Sequence, residues 1–249
     1  MRTAVLQSFR DVDVPRWLIE CLASVRRWAD TRGFEYLFLG DEFLSFSPRW
    51  FREKVHDQVL NVADIARLEW LLRSLETHDR AIWVDADVLI FRPSMLQMPV
   101  GAGIYFSREI WVDPGSSPPL VEKVNNSVIC VNAARSNLQE YLEDCYALAK
   151  RSGVDRLAFG TRYLTQRHAL RPLDLLTDIG LLSPTLLSEV CAGGGPWLQR
   201  HAVAWQSPIA GVNLCGSLRG RRSQGIEMTD SLFDDAVGML LNHSVNGAI

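Results

Sequence analysis

The sequence predicts an α/β protein with a mainly parallel sheet. Three observations carry this. The first forty residues read strand, helix, strand, which is the unit that builds parallel pairs. Apolar strand runs and helical periodicity then keep alternating along the chain. No Pro/Gly/Ser-rich linker divides the 249 residues, so one domain over 1–249 is expected.

Thr3 to Phe9 is a short apolar strand. Pro15 to Thr31 carries Trp17, Leu18, Cys21, Leu22, Val25 and Trp28 on one helical face, and Gly33 stops it. Glu35 to Leu39 is the second strand, followed by a less regular stretch to Leu60. Asn61 then reads as the N-cap of a helix from Val62 to about Thr77, which feeds the apolar run Ala81 to Phe91. A strand is expected over Ala102 to Phe106. Trp111 to Pro119 reads as a surface loop or a lid. Asn125-Asn126-Ser127 opens a strand over Val128 to Asn132. Helices follow at Leu138 to Lys150 and Val154 to Leu170. Gly193-Gly194-Gly195-Pro196 interrupts, Ala202 to Leu218 reads as mixed strand, and Ser231 to Leu241 as the last helix.

Composition excludes several classes. With 47% hydrophobic and 22% charged residues the chain has the makings of a sizeable core. A net charge of −3 offers no broad footprint for nucleic acid or anionic membrane. The basic cluster Arg219, Arg221 and Arg222 is read as a solvated loop or a local phosphate contact. Five scattered cysteines without Cys-x-x-Cys spacing read as reduced core thiols. No transmembrane segment or signal peptide is evident, and a cytoplasmic location is expected.

The chemistry concentrates in Ala-Ile-Trp-Val-Asp85-Ala-Asp87-Val-Leu-Ile-Phe. Aspartate is disfavoured in strands, and a carboxylate among apolar neighbours is costly unless paired. On a strand, the two would share a face roughly 6.6 Å apart. They would repel by about 2.5 kcal/mol at an effective dielectric near 20. A divalent cation reverses that sign, and all-oxygen ligation suits Mn²⁺ or Mg²⁺. Asp11-Val12-Asp13 has the same form but lies beside Pro15 in a loop, and no function is assigned to it.

Asn61-Val-Ala-Asp64-Ile-Ala-Arg67, then Asp85-Ala-Asp87, then Asn125-Asn126-Ser127 before a strand, occur in an order that resembles a GT-A fold glycosyltransferase. The likeness is to the retaining families that include glycogenin, lipopolysaccharide galactosyltransferases and the mannosyltransferase-like glucosylating toxins. The resemblance implies a Rossmann-like α/β/α sandwich and transfer of a hexose from a nucleotide-sugar, UDP by preference, with retention. It implies Asp87 as metal ligand, Asp85 as ligand or ribose contact, and Asp64, Arg67, Asn125 and Asn126 as donor contacts. The competing reading of Asp64 is a first-turn acid that offsets the helix dipole, and of the asparagines, ordinary turn chemistry. No glycine follows Ser127, a departure from the family.

The galactosyltransferase and glycogenin families take a third metal ligand from a C-terminal His-x-x-Gly-x-x-Lys-Pro-Trp segment. The tail Asn242-His243-Ser-Val-Asn-Gly247 offers His243, with spacing longer by one and no Lys-Pro-Trp. A helix-terminal histidine is the alternative. The sequence itself shows no catalytic nucleophile. For an inverting reaction Asp174, Asp178 or Glu189 would be candidate bases. The acceptor, whether glycan, lipid-linked or protein, is not specified. Two rivals stand beside this reading. One is a haloacid-dehalogenase-like phosphatase with Asp85 as nucleophile. The other is a nucleotide-sugar-binding module without turnover.

Overall fold

The computed structural model describes residues 1–133, 137–153 and 175–243, with His243 described by its backbone alone. The expected opening unit is present as β1 (Thr3–Ser8), α1 (Arg16–Arg32) and β2 (Glu35–Leu39). Gly33 ends α1 in the left-handed region at φ 67°, where a side chain would be strained. After a short 3-10 stretch and α2 (Arg49–Lys54), α3 (Val59–Ser74) leads to β3 (Arg80–Val84) and β4 (Val88–Ile90). A hairpin, β5 (Gly103–Val112) and β6 (Leu120–Asn132), precedes α4 (Leu138–Arg151). The C-terminal part holds β7 (Ile179–Leu181), α5 (Pro184–Cys191), α6 (Pro196–Trp205), β8 (Gly211–Asn213), the small pair β9 (Arg222–Ser223) and β10 (Ile226–Glu227), and α7 (Asp230–His243).

The main sheet has the order β2-β1-β3-β6-β5. β2, β1 and β3 are parallel, and β6 is antiparallel to both β3 and β5, so four of the five strands run one way. Side chains alternate between its faces as period-two geometry requires. Ala4, Leu6, Ala81, Trp83, Ile129 and Val131 pack with Ile65, Leu68 and Leu71 of α3 and Tyr141 and Leu142 of α4. Val5, Ile82, Val84, Val128 and Cys130 pack with Val25, Trp28 and Ala29 of α1. Helices therefore cover both faces, as expected. β4 belongs to a second sheet, β4-β8-β7, which packs under α1, α5, α6 and α7 through Trp17, Leu89, Leu186, Trp205, Val212 and Phe233.

The chain leaves β1 for β2 on one side and returns to β3 on the other. Such a switch of direction opens a crevice beyond the carboxyl ends of the strands, where α/β proteins bind ligands. Asp85 is the first residue past β3, on that crevice.

Several expectations are corrected. Ala81 to Phe91 is not one strand: Asp85-Ala86-Asp87 is a turn closed by the Val88 N–H donating to the Asp85 carbonyl at 3.1 Å, and β3 and β4 lie in different sheets. Both short strands are buried on both faces, so periodicity gives no sign of the break. Asn61 is not the cap of α3. The helix starts earlier, with Gln58 at its N-cap, and Asn61 is buried with its side-chain amide on Gln58 Oε1 at 2.8 Å. Trp111 and Val112 continue β5, and the expected loop is reduced to the tip of a hairpin. Ala202 to Trp205 is helical, with strand only at Gly211–Asn213. The helix expected over Val154 to Leu170 lies outside the described residues.

Asn125-Asn126-Ser127 is not a turn before a strand. It lies inside β6 at an irregularity: Phe106 pairs with Ile129 but Ser107 with Asn125, so 126–128 leave β5 while Val128 stays paired to Val84 of β3. Bulges of this kind re-aim backbone groups, and this one does so beside the Asp85 turn.

Candidate functional site

α3 projects Arg67 across the end of β3, where its side chain is only 9% exposed. Its Nη1 donates to Asp85 Oδ1 and to the Asn126 carbonyl, both at 3.0 Å, and its Nη2 lies 3.1 Å from Asp64 Oδ1. The Trp83 ring stacks beneath the guanidinium at 5.3 Å and gives its own N–H to Asp85 Oδ1 at 2.6 Å. Asn126 Nδ2 closes the group with a 3.4 Å bond to Asp64 Oδ1. Four of the expected residues, Asp64, Arg67, Asp85 and Asn126, thus form one network around the buried Arg67 guanidinium. A planar fork is suited to this, because it serves several acceptors at once.

The dipole explanation of Asp64 does not survive. α3 begins at Val59, which puts Asp64 beyond the first turn, and the dipole effect fades within that turn. Its partners are instead Arg67 and Asn126.

Asp87 is held from the other side. Asn213 Nδ2 donates to its Oδ1 at 3.2 Å and the Gly216 N–H to its Oδ2 at 2.7 Å. Asn213 Oδ1 accepts the Cys215 N–H at 2.7 Å, which fixes the amide so that its NH₂ faces Asp87. Gly216 is required here: a Cβ would come within 2.8 Å of Trp17, 3.1 Å of Asp87 Oδ2 and 3.2 Å of Asp87 Cβ. These clamp residues were missed. The signal was available, because Asn213, Gly216 and Arg219 follow the His-x-x-Gly-x-x-Lys spacing well before the tail where it was sought. Arg219, in the lysine position, is paired with Asp230 at 2.6 Å, and Asp230 also accepts the Trp17 indole N–H at 2.9 Å.

Burial raises both carboxyl pKa values. For Asp85, desolvation outweighs the opposing pull of Arg67, and the neighbouring Asp87 adds to the rise. For Asp87, desolvation outweighs the bond from the Gly216 amide. Burial works against the Arg67 charge, but Asp85 and Asp64 overcome it and hold the guanidinium above its usual range. The site is therefore a place where negative charge is under-compensated.

Among the described residues no three His, Cys, Asp or Glu side chains converge on a point that would hold a metal by themselves. The donor set still fits part of a hard-cation shell. The Asp87 carboxylate accepts from Asn213, Gly216 and its own amide, and two desolvated carboxylates side by side favour a divalent cation. The side chain of His243 lies outside the described residues; its backbone ends α7.

The remaining candidates are placed elsewhere. Asn125 Nδ2 donates to Glu109 Oε2 at 2.8 Å and its Oδ1 accepts the Ser127 N–H at 2.6 Å. Asp178 accepts the Gln97 N–H, and Asp174 lies outside the described residues. Glu189 accepts the Trp197 and Leu198 N–H groups at 3.2 and 2.6 Å and so caps α6. Gly195 exists to admit it, since a Cβ there would fall 2.2 Å from the Glu189 carboxyl carbon. The Gly193 and Gly194 N–H groups donate to the Val190 and Glu189 carbonyls at 3.0 and 2.8 Å, closing the end of α5. None of the five cysteines is in a disulfide, and among the described residues no helix is long and apolar enough to cross a membrane.

No protein-family model and no curated protein matches the sequence. Solved structures to which the chain is similar include a glycosyltransferase involved in glycosylation of the major capsid of PBCV-1, at 12% identity and TM-score 0.48, covering 95% of this chain and 98% of that one. Mouse xyloside xylosyltransferase 1 matches at 12% identity and TM-score 0.45, covering 87% and 98%. The galactosyltransferase LgtC, in complex with donor and acceptor sugar analogues, matches at 12% identity and TM-score 0.43, covering 95% of each chain. Likenesses of this size assign the chain neither a family nor an activity.

Proposed function

We propose that the protein is a glycosyltransferase that moves a hexose from a nucleotide-sugar, with UDP as the nucleotide, to an acceptor with retention, assisted by Mn²⁺ or Mg²⁺. The observation that carries this is the Arg67–Asp85–Asp64–Asn126 network, centred on a buried guanidinium beside Asp87 and set at the carboxyl ends of parallel strands where the strand order switches. A nucleoside diphosphate leaving group develops negative charge as the glycosidic bond breaks. When bound, a divalent ion would neutralise part of that charge as a Lewis acid. Asp85 and Asp87 would hold it, with diphosphate oxygens and water completing the shell.

The chain's own residues have separable tasks. Trp83 and Arg67 fix the orientation of Asp85 from two directions. Asn213 and Gly216 fix Asp87, so both carboxylates are preorganised before any ligand arrives. Arg67 also keeps the network from being purely anionic, which lets a diphosphate approach. Asn213, held by Cys215, turns an N–H toward Asp87 and is a positioning residue, not a ligand. His243 as third ligand, and a cytoplasmic location, belong to the same proposal.

The phosphatase reading is disfavoured by the oxygen it needs. Asp85 Oδ1 is occupied by Arg67 and Trp83, which lowers its nucleophilicity, and among the described residues no lysine bonds to Asp85 or Asp87. The test is hydrolysis of UDP-sugars by chelator-treated protein, with and without added Mn²⁺. Metal-stimulated release of UDP is the expected result. Turnover of simple phosphomonoesters instead, or no release and no binding of UDP, contradicts the proposal.

A further inference from the structure

We propose that Glu109 accepts hydrogen bonds from the hydroxyls of the donor sugar and so sets the affinity for the sugar as distinct from the nucleotide; this rests on the function proposed above. Glu109 lies on β5 and is 8% exposed. Among the described residues its one protein donor is the side-chain amide of Asn125, 2.8 Å from Oε2. Among the described residues no cation pairs with it. Lys123, its partner across the β5–β6 pair, lies over the Trp111 ring at 5.8 Å instead.

A buried carboxylate without a cation is costly, and its remaining lone pairs call for donors. The position of Glu109 indicates which donors. Asn125 accepts the Ser127 N–H, the Ser127 carbonyl accepts the Asp85 N–H at 2.7 Å, and the intervening Asn126 carbonyl accepts Arg67. A single three-residue segment, the irregularity of β6, therefore ties Glu109 to Asp85 and Arg67, beside which the diphosphate and its ion would lie. A sugar linked to that diphosphate brings hydroxyls, each with a proton to give and no charge to repel a carboxylate. A second phosphate or an acidic group in the same place would be rejected. A purely structural role, bridging β5 to β6 through Asn125, makes no distinction between UDP and a UDP-sugar.

Calorimetric titration of UDP, UDP-glucose and UDP-galactose in the presence of Mn²⁺, on wild type and Glu109→Gln, separates these. The substitution keeps an oxygen for Asn125 Nδ2 and removes the charge. The expected result is UDP affinity within about twofold of wild type, with at least tenfold weaker binding of the UDP-sugar that wild type prefers. Should Glu109→Gln not fold, Glu109→Asp, which withdraws the carboxylate from the sugar but keeps its charge, is held to the same ratio. Equal losses for UDP and UDP-sugar, or none for either, overturn the role of Glu109 while leaving the proposed function standing. A wild type that binds UDP in no form overturns both.

Discussion

Arg67 and Asp85 meet at 3.0 Å across the carboxyl end of β3, on an aspartate oxygen that also takes the Trp83 indole N–H. One carboxylate oxygen thus receives two rigid donors that themselves pack against each other. Removing either donor leaves a desolvated charge partly unmet, which costs more than the bond itself contributed.

Arg67→Lys separates charge from shape. A lysine keeps one positive charge but cannot reach Asp85, Asp64 and the Asn126 carbonyl together. Denaturant titration is expected to show a loss of about 1–3 kcal/mol, with a larger proportional loss in UDP-sugar binding. Equal donor affinity in the two proteins would reduce Arg67 to a structural residue.

Gly216→Ala tests the clamp on Asp87. The added Cβ meets Trp17 at 2.8 Å and Asp87 at 3.1 Å, neither of which is a freely moving chain end. Overpacking of this kind costs roughly 1–3 kcal/mol. The loop from Asn213 to Gly216 should withdraw from Asp87, and metal-stimulated hydrolysis should fall further than thermal stability does. A variant as active as wild type shows that the Gly216 N–H contributes nothing to Asp87.

Glu189→Ala discriminates a helix cap from a catalytic base. Loss of the two bonds to Trp197 and Leu198 should cost about 1–2 kcal/mol of stability. Turnover per folded molecule is expected to stay unchanged. Collapse of turnover at full stability would restore Glu189 as a base.

His201 gives a pH dependence with a defined sign. Burial, with Arg108 adding to it, depresses its pKa from 6.5 to about 4, and its Nε2 has no hydrogen-bond partner among the described residues. Between those values the unfolded state takes up a proton that the folded state refuses. Stability is therefore complete above the unfolded value and falls as pH drops from 6.5 toward 4, by roughly 3 kcal/mol in all. Unfolding midpoints of wild type and His201→Gln across that range check this. The substitution should flatten the slope, and parallel curves would assign it to other groups.

Much of the first half was legible in the sequence because its elements are amphipathic or bounded by clear signals. α1 shows its core face through Trp17, Cys21, Val25 and Trp28, and Gly33 ends it. Periodicity failed where burial is two-sided. β3 and β4 are apolar throughout, so the Asp85–Asp87 turn between two sheets looked like strand. α6 was hidden for a different reason: its last turn, Ala202, Val203, Ala204 and Trp205, is apolar even where it faces solvent, as at the exposed Val203. Within the site, Arg67, Asp64 and Asn126 were found by their order. Asn213 and Gly216 were not, because they approach Asp87 from 126 and 129 residues away.

The central claim is that Asp85 and Asp87 hold a divalent ion together with a nucleoside diphosphate. The most direct measurement is Mn²⁺ affinity, read by electron paramagnetic resonance with and without UDP, in wild type and Asp87→Asn. The substitution keeps acceptor and donor atoms at that position but removes the charge. Wild type should bind Mn²⁺ more tightly with UDP present, and Asp87→Asn should lose at least tenfold in that affinity while its unfolding midpoint holds or rises. Mn²⁺ binding that ignores both UDP and the substitution would contradict the account.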